Sequence, residues 1–246
     1  MPISLTEGSV VFVAVSGTDA GGPLADGLVR QGARVALLTD TVVEADAAVT
    51  RIATTFGSRE SVAAAFARAR ELLGPAQLVV HSGTPAISFI SSPIERLPYE
   101  QWSASVHDAV KCTIYCLQAA HEHFEGRCGA IVVFGPVLSL VGAAGLVPLS
   151  TALEAQRSIV KSAARQWGRK GIRVNWVAIG AEGNYPALES AVIPQVPEFG
   201  LPSAPLGRVP DIGGDAADLI GFLGSDAARA VTGTTLNIDG GNWMVP

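Results

Sequence analysis

Short runs of consecutive apolar residues punctuate this chain, and between them apolar positions recur at the three- and four-residue spacing of helices. Ser9 to Val15, Arg34 to Leu38, Leu78 to His81, Ile131 to Phe134, Arg173 to Ala178 and Thr235 to Ile238 predict strands. Stretches from about Pro23 to Gln31, Ser61 to Leu73, Tyr99 to Phe124, Leu149 to Lys170 and about Asp215 to Gly224 predict helices. Gly32 reads as a helix C-cap and Gly74-Pro75 as a helix stop. The strand runs are continuous rather than alternating, so both faces of their sheet must be covered. Their alternation with helices then implies parallel pairing. The expected fold class is α/β, a doubly wound parallel sheet in three α/β/α layers. No repeat or linker divides residues 1–246, and one Pro-rich, irregular segment runs from Pro186 to Pro210.

Composition narrows the function classes. A net charge of -5 offers no basic face for nucleic acid. The apolar runs are strand-sized, far short of the roughly 20 residues of a membrane-spanning helix. No basic segment followed by an apolar stretch opens the chain, so a cytoplasmic protein is expected. Apolar residues make up 48% and charged residues 16%, with a mean hydropathy of +0.36. That balance implies buried subunit interfaces in addition to a core. Cys112, Cys116 and Cys128 lack the Cys-x-x-Cys spacing of a zinc site, so no metal ligands are assigned. Cys112 and Cys116, one helical turn apart, read as a pair of small buried thiols.

Leu153 lies eighteen residues before Gly171-Ile172-Arg173-Val174-Asn175, and Leu149 four residues earlier. That stretch, with Val231-Thr232-Gly233-Thr234-Thr235-Leu236-Asn237-Ile238-Asp239-Gly240-Gly241, resembles the short-chain dehydrogenase/reductase family. The resemblance implies a Rossmann-like dinucleotide-binding domain, with residues 186–210 as a substrate lid. It also implies a tyrosine acid/base, a lysine that lowers its pKa and holds the ribose, a serine that steadies the substrate oxygen, and an asparagine relay. Those four positions carry Leu149, Leu153, Pro136 and Ala109 here. Leucine neither donates a proton nor carries charge. Ser150, Thr151 and Glu154 are neighbours on the helix but point about 100° apart per residue. His81, His107, Asp108 and Glu154 are the candidates for a replacement acid/base set; of these, His107 and Asp108 are adjacent and diverge.

The family's phosphate loop is equally altered. Its pattern, Thr-Gly-x-x-x-Gly-x-Gly, retains Gly17, Gly21 and Gly22 only in part and admits Asp19. A like-charge contact at about 4 Å and an effective dielectric of about 20 costs roughly 4 kcal/mol. The ribose-binding acid position holds Thr39, with Asp40 one residue late, and the adenine-contacting aspartate position holds Thr55. The Asn-Asn-Ala-Gly motif reads Val80-His81-Ser82-Gly83.

By resemblance, the chain is then a degenerate subunit without catalytic, cofactor or metal residues. It pairs as a heterotetramer with an intact paralogue that binds NAD, as in the hydroxyacyl-CoA dehydrogenase acting on 2-(hydroxy(phenyl)methyl)succinyl-CoA in anaerobic toluene breakdown. The family's assembly surfaces fall on the two long helices, where Ala152, Ala155, Ala163 and Ala164 suit close approach, and on Pro205 to Gly241. Two other readings are a cofactor-free enzyme of lyase type and a homo-oligomeric ligand-binding protein.

Overall fold

The computed structural model describes residues 4–42, 44–192 and 204–244, so the middle of the lid-like segment, residues 193–203, lies outside the described residues. Strands β1 (Val10–Ser16), β2 (Arg34–Thr39), β3 (Thr50–Ala53), β4 (Leu78–Gly83), β5 (Gly129–Pro136), β6 (Ile172–Ile179) and β7 (Thr235–Ile238) form a parallel sheet in the order β3-β2-β1-β4-β5-β6-β7. Helices α1 (Gly21–Arg30), α2 (Arg59–Leu73), α3 (Tyr99–His123), α5 (Val147–Trp167) and α7 (Ala217–Gly224) cover its two faces, and a short α4 (Leu138–Val141) precedes α5. Every residue of β1 and β4 is buried, as continuous apolar strands between helical layers require. The expected α/β doubly wound sheet is therefore present as a single unit. Among the described residues no helix is long and apolar enough to cross a membrane.

Local chemistry sets the element ends. Ser58 accepts the Ser61 N–H at 3.1 Å, which starts α2 two residues before the apolar period does. Gly32 takes φ +88° immediately after α1, the left-handed turn for which glycine is suited.

Three expectations need correction. β3 was not expected, because its four residues are alternately half-buried and exposed and form no apolar run. The Pro-rich segment opens with a helix, α6 (Pro186–Val192), since its proline sits at the start, where a missing N–H costs nothing. Ala152, Ala163 and Ala164 are buried within this chain, at 2%, 5% and 6% exposure, so their side chains are already covered by the chain's own packing.

Candidate functional site

Strand order reverses between β1 and β4, and ligands of open α/β sheets bind in the crevice beyond the strand ends at such a point. Here that crevice is framed by Gly17–Ala20 after β1, Asp40 after β2, Thr84-Pro85 after β4 and Pro136 at the end of β5.

The loop after β1 is held by the protein itself. Gly17 has φ +77°, and a Cβ there would stand 2.4 Å from Thr84 O, so glycine is needed for backbone packing against Thr84-Pro85. Asp40 accepts the Ser16 hydroxyl at 2.5 Å and the Gly17 N–H at 3.0 Å. Both its oxygens are thus engaged in tying β2 to the loop. A Cβ on Gly21 would meet Leu37 Cδ1 at 3.0 Å, so this glycine seats α1 on the sheet, and Gly22 is buried behind it. Thr39 bonds Thr41, and Thr55 bonds Ser61 at the start of α2. Asp19 is exposed beside Asp26, Arg30, Asn184 and Asp211 in a cleft of about 410 Å³ at the α1 N-terminus. Three carboxylates against one guanidinium make that cleft negative, and Arg30 already donates to Gly213 O at 2.8 Å.

The four positions expected from the resemblance to carry catalytic groups are buried. Leu149 and Leu153 are 0% and 1% exposed and belong to the main hydrophobic core. Leu153 lies over Gly135, where a Cβ would come within 2.7 Å of its Cδ2 and 3.2 Å of the Trp176 ring. Ala109 and Pro136 are also buried. One turn along the same helix face, Gln156 is fully buried and donates its Nε2 to Gly83 O at 2.6 Å and Ala109 O at 3.3 Å. Sequence reasoning missed it, although position 156 falls on the same buried stripe as 149, 153 and 160.

The candidate replacement acid/base residues are not assembled. Glu154 pairs with Arg157 at the surface, Asp108 pairs with Lys111 at 3.0 Å, and His107 is exposed. His81 is 0% exposed, with Nδ1 bonded to Ala14 O at 2.9 Å and Nε2 to Thr113 Oγ1 at 3.0 Å. The fold adds a juxtaposition that spacing alone does not give. Cys112 Sγ lies 3.9 Å from His81 Nε2, and Cys116 completes a buried group with it. A hydrogen bond from Cys116, outweighing burial and helped by the field of His81, lowers the Cys112 pKa to about 6. Burial instead raises that of Cys116. Tyr185, also buried, has its phenol pKa raised by desolvation, and its hydroxyl has no partner among the described residues.

The family model described as enoyl-(acyl carrier protein) reductase matches residues 20–242. The inactive 2-(S)-hydroxypropyl-CoM dehydrogenase 2 of Xanthobacter autotrophicus is 30% identical over 232 residues, 89% of this chain and 98% of that protein. A 3-oxoacyl-(acyl-carrier-protein) reductase of Staphylococcus aureus is 30% identical over 150 residues, 61% of this chain and 60% of the reductase. The match thus spans about three fifths of that enzyme's length. The crystal structure of levodione reductase superposes with a TM-score of 0.81 at 21% identity, over 96% of this chain and 98% of that one. A 3-ketoacyl-(acyl-carrier-protein) reductase from Brucella melitensis, complexed with NADH, gives 0.80 at 22%, over 96% and 98%. At such identities these structures speak to the fold alone. The protein is an oxidoreductase-fold chain of one well-defined kind: it belongs to the short-chain dehydrogenase/reductase family.

Proposed function

We propose that this chain is a non-catalytic subunit that assembles with a catalytically intact short-chain dehydrogenase/reductase, forming an NAD-dependent dehydrogenase whose chemistry resides in the partner. The observation that carries this reading is the burial of Leu149 and Leu153 in the core. Hydride exchange with an alcohol or ketone needs a proton donor or acceptor at the reacting oxygen. These positions supply neither a proton nor access to water. The residues present also do not fit a nicotinamide dinucleotide. The Asp40 oxygens are engaged by the loop, Thr84-Pro85 closes on Gly17, and the α1 cleft is negative where a pyrophosphate would need positive potential. Likeness to a relative named as an inactive dehydrogenase supports the same reading. Exposed apolar side chains on and before α3, Tyr99 at 69% and Ile94 at 72%, supply surface for a partner.

The test is co-expression with an intact paralogue from the same organism, followed by native mass measurement and activity assay. 2-(Hydroxy(phenyl)methyl)succinyl-CoA is the first substrate to try. Two copies of each chain, with activity dependent on both, is the expected result. A homotetramer of this chain beside a paralogue fully active without it ends the proposal.

A further inference from the structure

Three side chains with soft or borderline donor atoms converge in the core below the switch point. We infer that His81, Cys112 and Cys116 form a binding site for one thiophilic d10 metal cation, zinc(II) or copper(I). Their donor atoms lie within 4.8 Å of one another, and the residues are 0%, 4% and 1% exposed. An ion about 2.3 Å from sulfur and about 2.0 Å from nitrogen spaces its donors roughly 3.5–4 Å apart. The Cys112 Sγ to His81 Nε2 distance of 3.9 Å already falls there.

The imidazole is set in the tautomer a metal requires. Ala14 O can only accept, so the His81 Nδ1 that bonds it carries a proton, and Nε2, 3.0 Å from Thr113 Oγ1 and 3.9 Å from Cys112 Sγ, is the nitrogen on the side of the thiols. Fixing a ligand histidine through its second nitrogen to a backbone carbonyl is a recurrent feature of metal sites. Thr113 Oγ1, 3.0 Å from Nε2, is the partner that a cation displaces to an outer position. Gly83 makes the room: a Cβ there would stand 3.1 Å from His81 Nε2 and 3.2 Å from Cys112 Sγ.

Two competing roles for the thiols are weaker. Cysteines four apart on a helix hold their Cβ atoms about 5–6 Å apart, whereas a disulfide needs about 3.5–4.5 Å. Packing alone does not call for an imidazole nitrogen beside the two thiols. On binding, the thiols lose their protons to solvent. Two thiolates and zinc(II) leave the core neutral, while copper(I) is satisfied by three ligands without a fourth.

The proposal is independent of the subunit reading, because it is tested on the isolated full chain. Reduced protein refolded with excess zinc, or loaded with copper(I), is desalted and its metal content measured. X-ray absorption then reads the donor shell. One ion per chain with two sulfurs and one nitrogen is expected, and whichever ion gives that shell identifies the cargo. Cys116→Ser and His81→Asn lower affinity by about 100-fold or more, and Cys128→Ser, at an exposed cysteine outside the cluster, changes nothing. Wild-type protein that retains no metal overturns the inference, as does a shell without sulfur or loss of binding in Cys128→Ser. The wild-type measurement decides the matter even where a variant fails to fold.

Discussion

Leu153→Lys distinguishes a filled core from a covered but usable pocket. Leu153 is 1% exposed and packs over Gly135 and the Trp176 ring. A lysine placed there enters the main hydrophobic core. The side chain must either bury its ammonium or lose the proton. Holding a lysine of ordinary pKa about 10.4 neutral at pH 7 costs about 1.36 kcal/mol for each of roughly 3.4 pH units, about 4–5 kcal/mol in all. Direct burial of the ion is no cheaper. Folded-state depression of a lysine pKa means that the unfolded chain binds the extra proton. The penalty therefore shrinks as pH rises, by about 1.4 kcal/mol per unit. Urea unfolding of wild type, Leu153→Lys and Leu153→Met at pH 7 and pH 9 provides the assay. The expected losses for lysine are about 4–5 kcal/mol at pH 7 and about 2–3 kcal/mol less at pH 9. The methionine control stays under about 1.5 kcal/mol. A lysine variant that folds only at the higher pH agrees with the reasoning. A loss below about 1 kcal/mol that is independent of pH refutes it, since position 153 would then reach solvent.

His123 accepts the Ala76 N–H at 2.9 Å, and burial, with Arg127 and Arg70 nearby, lowers its pKa to about 4. The unfolded chain therefore takes up this proton first, and stability falls as pH drops from about 6.5 to about 4. After allowance for screening the loss is of order 2 kcal/mol, and it disappears from the pH profile of His123→Gln melts. Gly27→Ala would put a Cβ 2.0 Å from Gly213 O, costing about 2–3 kcal/mol in urea melts despite alanine's better helix propensity. Gly57→Ala, with nothing within 4 Å, stays within about 1 kcal/mol of wild type. Calorimetric titration of the isolated chain with NAD and NADP gives dissociation constants weaker than about 1 mM, or about -4 kcal/mol, whereas micromolar binding shows that the loop after β1 opens.

What was legible in the sequence followed from where the signal resides. The central strands were readable because burial on both faces forces every residue of β1 and β4 to be buried. β3 was not, because an edge strand with half its side chains in water carries no such constraint. The positions expected to carry the family's catalytic groups were assigned by their spacing to Gly171-Ile172-Arg173-Val174-Asn175, and the structure places Leu149 and Leu153 in the core. Position 156 was overlooked because a glutamine in a helix reads as surface, yet it lies seven residues after Leu149, on the buried face. The cysteine–histidine group needed the topology. β4 and α3 bring together residues 31 positions apart, a juxtaposition that no local motif announces.

Leucine at positions 149 and 153 is only half of what makes this region a core. Gly83 lies beyond His81, the last residue of β4 paired with β5, so its carbonyl has no ladder partner on that side. An unpartnered buried carbonyl costs about 1–3 kcal/mol. Gln156 supplies the donor and, with the same Nε2, also reaches Ala109 O at a second site. Its own Oε1 has no partner among the described residues, so the glutamine serves two backbone acceptors while leaving one of its own unmet. The leucines exclude water from the space above, and the glutamine makes that exclusion tolerable for the backbone below. The two changes depend on one another. Leu149→Tyr with Leu153→Lys would return a phenol and an ammonium to a space already filled by Trp176 and anchored by Gln156. Restoring the family's residue types at those two positions therefore restores neither water access nor a pocket, and redox activity stays absent while Gln156 and Trp176 remain.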